Sequence, residues 1–137
     1  MLYGIGCDLC EVARIEKSLS GAHGPAFVRR VFGPEEQAAL GLGAEAKPWP
    51  AGRASAHKAA SAAADFAAKE AFLKAAGTGL AAPFSLCEIE AVRLPSGAPN
   101  YRFSGKTAEW VAAHHLTAKL SLSHDGGMAL AFCTLEQ

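Results

Sequence analysis

Acids, an ammonium and a histidine recur in three short segments of this 137-residue sequence. In the first, Gly4-Ile5-Gly6-Cys7-Asp8, an acid follows an apolar run and so stands at a strand end, and the glycines permit a ligand to approach the backbone closely. The simpler use of Asp8, or of Glu11, is to cap the helix that follows. In the second, Phe66, Glu70, Leu73, Lys74 and Gly77 fall at i, i+4, i+7, i+8 and i+11, on one face of a helix. A carboxylate and an ammonium sharing a stripe with two apolar side chains point to a partly buried, cleft-facing side. An ordinary surface ion pair is the competing use of Glu70 and Lys74. Gly77-Thr78-Gly79 just beyond can turn amide groups toward a phosphate. No G-x-x-x-x-G-K precedes that helix, so it is not a P-loop. In the third, Ser121-Leu122-Ser123-His124-Asp125, an alternating strand delivers two serines to one face and His124 to its end. There the imidazole can meet a phosphate or move a proton, or simply sit in water at a turn. Three consecutive residues do not make a Ser-His-Asp triad, and no G-x-S-x-G elbow exists.

The elements that must carry these segments follow from periodicity. Residues 2–7 read as a buried strand ending at Asp8. Val12, Ile15 and Leu19 give a helix over 11–20, stopped by Gly21. Residues 25–32 form a short helical piece, and Pro34-Glu35-Glu36 begins another helix that fades by Gly41. Residues 41–53, with three glycines, two prolines and a tryptophan, read as a loop. Residues 54–76 are alanine-rich and free of glycine and proline, which predicts the longest helix, with Gly77 after its end. Alternation over 86–94, a turn at Pro95-Ser96-Gly97 and a partner strand at 100–103 make one hairpin. A short helix over 106–115 leads to strands at 118–123 and 128–135 around Gly126-Gly127. The result is an α+β chain in which helices pack on antiparallel sheet, read as a single domain over 1–137.

Composition narrows the function. Zero formal net charge and a charged fraction of 19% argue against a bulk-charge nucleic-acid binder. No apolar run approaches the roughly 20 residues of a membrane span. The opening residues do not form a signal peptide, so a cytoplasmic location is the expectation. Cys7 and Cys10 form a C-x-x-C, but Cys87 and Cys133 stand alone and His114-His115 are adjacent. The expected role of these cysteines is therefore small apolar residues rather than zinc ligands.

Taken together, the three segments resemble the holo-[acyl-carrier-protein] synthase family of 4′-phosphopantetheinyl transferases. Gly4 to Asp8 with Arg14-Ile15 is similar to its G-x-G-x-D and following helix. Phe66 to Gly79 resembles its F-A-A-K-E-A-F-x-K-A-x-G-T-G, and Ser121 to His124 its S-x-S-H. The resemblance implies the phosphopantetheinyl transferase fold, a homotrimer and active sites between subunits. It implies Mg²⁺ held by Asp8 and Glu70, with Lys74 beside them in catalysis. Coenzyme A would be the co-substrate, touched by Lys74, Gly77, Thr78, Gly79, Ser123 and His124. An acyl carrier protein would dock on Arg14 and Arg30. The implied reaction moves the 4′-phosphopantetheine arm of coenzyme A onto a carrier serine, in fatty acid biosynthesis. A non-catalytic coenzyme A or carrier-protein binding domain is the alternative.

Two departures stand out. Family members often carry Arg immediately before the Phe of the second segment, where this sequence has Asp65. Arg53 and Lys58 are the candidates to supply the missing cation. The stretch over 41–64 also looks longer than is usual for the family.

Overall fold

The structure, a computed structural model, describes residues 1–43 and 49–137. The chain runs β1 (Leu2–Glu11), α1 (Val12–Ser20), α2 (Gly24–Val31), α3 (Pro34–Leu40) and α4 (Gly52–Ala76). A 3₁₀ turn at Leu86–Glu88 leads to β2 (Ile89–Arg93), β3 (Pro99–Phe103), α5 (Gly105–Ala113), β4 (Thr117–Asp125) and β5 (Met128–Glu136). The expected α+β arrangement is present. Part of the expected 41–53 loop, residues 44–48, lies outside the described residues, and α4 begins at Gly52 rather than 54. No described helix is long and apolar enough to cross a membrane.

Two antiparallel sheets flank α4. One has the order β1-β5-β4, the other is the β2-β3 hairpin. The β4-β5 connection is two glycines, Gly126 and Gly127, with φ of 56° and 78°. Positive φ at both central residues is what a tight hairpin turn of matching twist requires. The expectation that β1 stops near Asp8 is corrected. Pairing with β5 continues to Glu11, opposite Met128, so Asp8 lies inside the strand opposite Ala131.

Helix α4 is the axis of the molecule. Ala62, Ala63, Ala67, Ala68, Ala71, Phe72 and Leu73 are all buried, leaving the helix no continuous solvent stripe over this stretch. Such a helix must be enclosed on several sides; β1 and β5 pack against it, and so does β2. Alanine suits the position twice, because it favours helix and lets neighbouring backbones come close. β1 exploits this through Gly4 and Gly6. A Cβ placed on Gly6 would lie 1.8 Å from the Ala71 carbonyl oxygen, and one on Gly4 2.0 Å from that of Ala75. The glycines of the first segment therefore admit the backbone of α4, which corrects the expectation that they admit a ligand.

A charged cluster is sealed on the other side of α4. The Lys69 ammonium is fully buried and is bound by the Glu36 carboxylate and by the carbonyls of Leu86 and Ile89. Glu36 in turn accepts from the amides of Gly33 and Ala91, while Glu90 accepts from the amide of Glu36. These bonds tie α3, α4 and β2 together. Every buried polar side-chain atom among the described residues has a partner, as a buried charge requires.

The sheet β1-β5-β4 presents the opposite face to solvent. Ile5 and Leu9 of β1 are 56% and 59% exposed, and Leu130 and Phe132 of β5 are 38% and 44% exposed. Register places Leu9 opposite Leu130, with Phe132 opposite Cys7.

Candidate active site

The residues of the first two segments meet where β1 crosses the second half of α4. Asp8 alternates with Cys7 and Leu9, so it shares the helix-facing side of β1 with Gly6 and Cys10. The Lys74 ammonium donates to the Cys7 carbonyl at 2.9 Å and to Asp8 Oδ1 at 3.2 Å. Lys74 is 55% exposed and the Asp8 side chain 18%, so the pair sits at an open rim rather than in the core. Glu70, one turn before Lys74, is half-buried. Burial, and then the Asp8 charge, push its pKa above the usual carboxylate range, against the pull of Lys74 and Arg14. Glu70 and Asp8 thus stand close enough to repel each other.

Arg14 of α1 belongs to the same cleft. Its guanidinium lies 5.8 Å from the centroid of the Phe66 ring, which in turn stacks on Phe27. Arg14 thus joins the expected docking face to the acidic pair. Arg30 lines a separate surface cavity of about 460 Å³ with Lys17, His23 and Phe27. Neither Asp8 nor Glu11 caps α1 through a side chain.

The Gly77-Thr78-Gly79 turn lies exposed beyond Lys74. Gly77 and Gly79 take φ of 88° and 65°, and their amides donate back to helix carbonyls, both to that of Leu73. The Thr78 hydroxyl donates to the Gly79 carbonyl. In this conformation the glycine amides close the helix rather than face outward.

Ser123 and His124 are not part of this cleft in the same chain. Ser123 pairs with Leu130 and His124 with Ala129, so the two point to opposite faces of β4. His124 lines a pocket of about 260 Å³ with His57 and Ser61 of α4, Arg93 of β2 and Leu122. Neither acid of the cleft lines it, and β5 separates β4 from β1.

Of the cations considered for the missing arginine, Lys58 is engaged elsewhere. It donates to the Gly41 carbonyl and lies over the Trp49 ring. Asp65 itself is buried and turned to Arg93, 4.0 Å away. Sequence reading missed His57, Arg93 and the buried Lys69 cluster. The i, i+4, i+8 spacing of His57, Ser61 and Asp65 was a usable signal; nothing local marks Arg93. The C-x-x-C does not act as a unit, because Cys7 is exposed and Cys10 buried.

Among the described residues no group of three or more His, Cys, Asp or Glu side chains forms a metal cage. Asp8 and Glu70 offer two hard oxygen ligands, which suits a cation that keeps waters and shares phosphate oxygens with a substrate. A cation between the two acids would offset the repulsion that helps raise the Glu70 pKa.

Residues 4–133 match the family model described as the 4′-phosphopantetheinyl transferase superfamily. The chain belongs to that superfamily. It is 41% identical over 141 residues to a holo-[acyl-carrier-protein] synthase of Methylobacterium sp. (strain 4-46), covering 99% of this chain and 95% of the relative. A holo-[acyl-carrier-protein] synthase of Delftia acidovorans is 37% identical over the whole chain and 98% of its own length. Among solved structures, the transferase resembles the holo-[acyl-carrier-protein] synthase of Neisseria meningitidis with a TM-score of 0.79 and 30% identity, both chains covered fully. The Helicobacter pylori synthase in complex with coenzyme A gives a TM-score of 0.75 at 28% identity, with 96% of this chain and 99% of that one covered.

Proposed function

We propose that this transferase moves the 4′-phosphopantetheine arm of coenzyme A onto a serine of an apo acyl carrier protein, yielding holo carrier and adenosine 3′,5′-bisphosphate. The observation that carries the reading is the junction of Asp8, Glu70 and Lys74 at one open rim. Asp8 lies more than sixty positions from Glu70 and Lys74, in a chain whose relatives are named for this activity.

The carrier serine oxygen forms a bond to the phosphorus that bears the pantetheine arm, and the bond from that phosphorus to the nucleotide oxygen breaks. Such a displacement needs alignment and charge neutralisation more than covalent help. Lys74 places a positive charge beside the diphosphate oxygens. Glu70, at the same rim, is the carboxylate placed to receive the serine proton. Mg²⁺ held by Asp8 and Glu70 would neutralise the diphosphate and the leaving nucleotide. A non-catalytic binding domain would have no use for two repelling acids beside a lysine.

The working unit is a homotrimer with its sites between copies. Lys74 and His57 sit on one helix, seventeen residues apart, or about 25 Å at 1.5 Å per residue. The diphosphate and the 3′-phosphate of coenzyme A are separated by only a ribose. The acidic rim of one copy and the His124 pocket of another must therefore serve the same coenzyme. The exposed Ile5, Leu9, Leu130 and Phe132 give each copy an apolar face to cover. An acidic carrier protein would meet Arg14 beside the rim and Lys17 and Arg30 on the separate cavity that they line.

Two measurements test this. Apo carrier, coenzyme A and Mg²⁺ are mixed with the protein and the carrier is weighed by mass spectrometry; no gain of a phosphopantetheine mass removes the function. Glu70→Gln and His124→Ala-Arg93→Gln proteins, each assayed at a limiting coenzyme A concentration where both are impaired, are then unfolded and refolded together. Recovered activity in the mixture supports sites shared between copies, and its absence, with each variant folded, removes them.

A further inference from the structure

The His124 pocket contains a cation, Arg93, that belongs to none of the three sequence segments. Its walls are His57 and Ser61 of α4, Arg93 at the end of β2, Pro99 of β3, and Leu122 and His124 of β4. Among the described residues no carboxylate lines it. A guanidinium, two imidazoles and a hydroxyl converge on about 260 Å³, a volume on the scale of a phosphate ester and part of a nucleoside rather than a whole coenzyme. Arg93 also borders a second cavity of about 360 Å³, whose walls include Asp65 and Glu35. Arg93 therefore lines both cavities, with the Asp65 carboxylate 4.0 Å from its Nη1 on the acidic side.

Asp65 suits that task because it has little else to bind. Its carboxylate is 7% exposed, against 45% for the Arg93 side chain, and they lie 4.0 Å apart. Behind Asp65 are Glu36 and Glu90, whose charges repel it, and Lys69, which is already committed to Glu36. Arg93 is the cation on its open side. A guanidinium has five donors in a rigid fork, so an aspartate on one edge leaves the other edge for a ligand.

We infer that Arg93, oriented by Asp65, is a specificity-determining residue through which this transferase recognises the 3′-phosphate of its nucleotide. The inference rests on the reading that the His124 pocket holds the nucleotide end of coenzyme A. It supplies a cation from the facing strand: where the resembled family often carries an arginine on the helix, this chain has an aspartate with Arg93 of β2 beside it. Arg93 touches the phosphate; Asp65 is a positioning residue.

The test is direct binding at pH 8. Adenosine 3′,5′-bisphosphate and adenosine 5′-phosphate are titrated calorimetrically into the parent, Arg93→Gln and Asp65→Asn proteins, with thermal unfolding as the folding control. Arg93→Gln should weaken the bisphosphate by about tenfold or more, the scale of a charged hydrogen bond, and the monophosphate far less. Asp65→Asn should show a smaller loss with the same selectivity. Placing Asp65→Arg in the Arg93→Gln background should restore part of the bisphosphate affinity. In transfer assays, the kcat/KM ratio of coenzyme A to 3′-dephospho-coenzyme A should fall with Arg93→Gln, chiefly through KM. Equal weakening of both nucleotides, or none, overturns the inference. If the parent transfers nothing to a carrier, the proposed function falls, while the nucleotide titrations still decide the role of Arg93.

Discussion

The charge of Asp8 on β1 is, after burial, the main reason that the Glu70 carboxyl on α4 stays above its ordinary pKa. Two acids have been brought into mutual repulsion by the packing of a strand on a helix, with Lys74 bonded to only one of them.

Glu70→Gln and Asp8→Asn separate a metal site from a structural ion pair. Both variants should fold, lose turnover by on the order of a hundredfold, and need more Mg²⁺ for half activity. Binding of Mn²⁺, followed by electron paramagnetic resonance, should weaken in each. Normal turnover with unaltered Mg²⁺ dependence in either variant takes that residue out of the site.

Arg14→Glu addresses the docking face. Reversing the charge should raise the KM for an acidic carrier and steepen no dependence on salt; rather, salt should weaken carrier binding in the parent and do so less in the variant. The KM for coenzyme A should change little by comparison. An unaltered carrier KM refutes the assignment of Arg14.

Gly6→Ala tests the contact between β1 and α4. The added methyl would fall 1.8 Å from the Ala71 carbonyl oxygen, a backbone atom unable to step aside. Overpacking of this kind costs typically about 1–3 kcal/mol and occasionally more, so the melting temperature should drop by several degrees. A melting temperature equal to that of the parent rules out the close approach.

Asp65 gives a pH dependence with a defined sign. Burial, then the Glu36 charge, push its pKa from 3.8 up to about 7, against Arg93 and Lys69. The folded state therefore holds the proton more tightly than the unfolded state. The associated stability is complete below the ordinary value and is lost as pH rises through about 7. Asp65→Asn lacks this titration. Its melting temperature should gain on that of the parent across this interval and hold a constant offset above it. An offset that is the same at all pH values contradicts the raised pKa.

The reading of the sequence succeeded where chemistry and periodicity coincide. The Glu70-Lys74 spacing identified a cleft-facing stripe because helix geometry fixes which residues share a side. Alternation located β4 and β5, and Gly126-Gly127 located their turn. The role of the first glycines was not legible, since a glycine that admits a ligand and one that admits a helix look identical in one dimension. Nothing in the local sequence marks Lys69, between Ala68 and Glu70, as buried; only its partners from α3 and β2 reveal it. The separation of Ser123 from His124 follows from strand alternation, but where each face leads depends on the packing of α4 and on the second sheet. Arg93 ends a strand in no motif, and only the fold brings it to Asp65 and His124.

The fit of Gly4 and Gly6 against Ala75 and Ala71 also bears on descent. These glycines preserve an architecture, whereas the aspartate two places later is one to which we assign an activity. A descendant that kept G-x-G but exchanged Asp8 for a neutral residue would retain the scaffold, its neighbours and its family signature while losing the reaction. Duplicated genes of this kind can therefore drift into silent paralogues without any mark in the glycine pattern, and position 8 is where such a loss would be read.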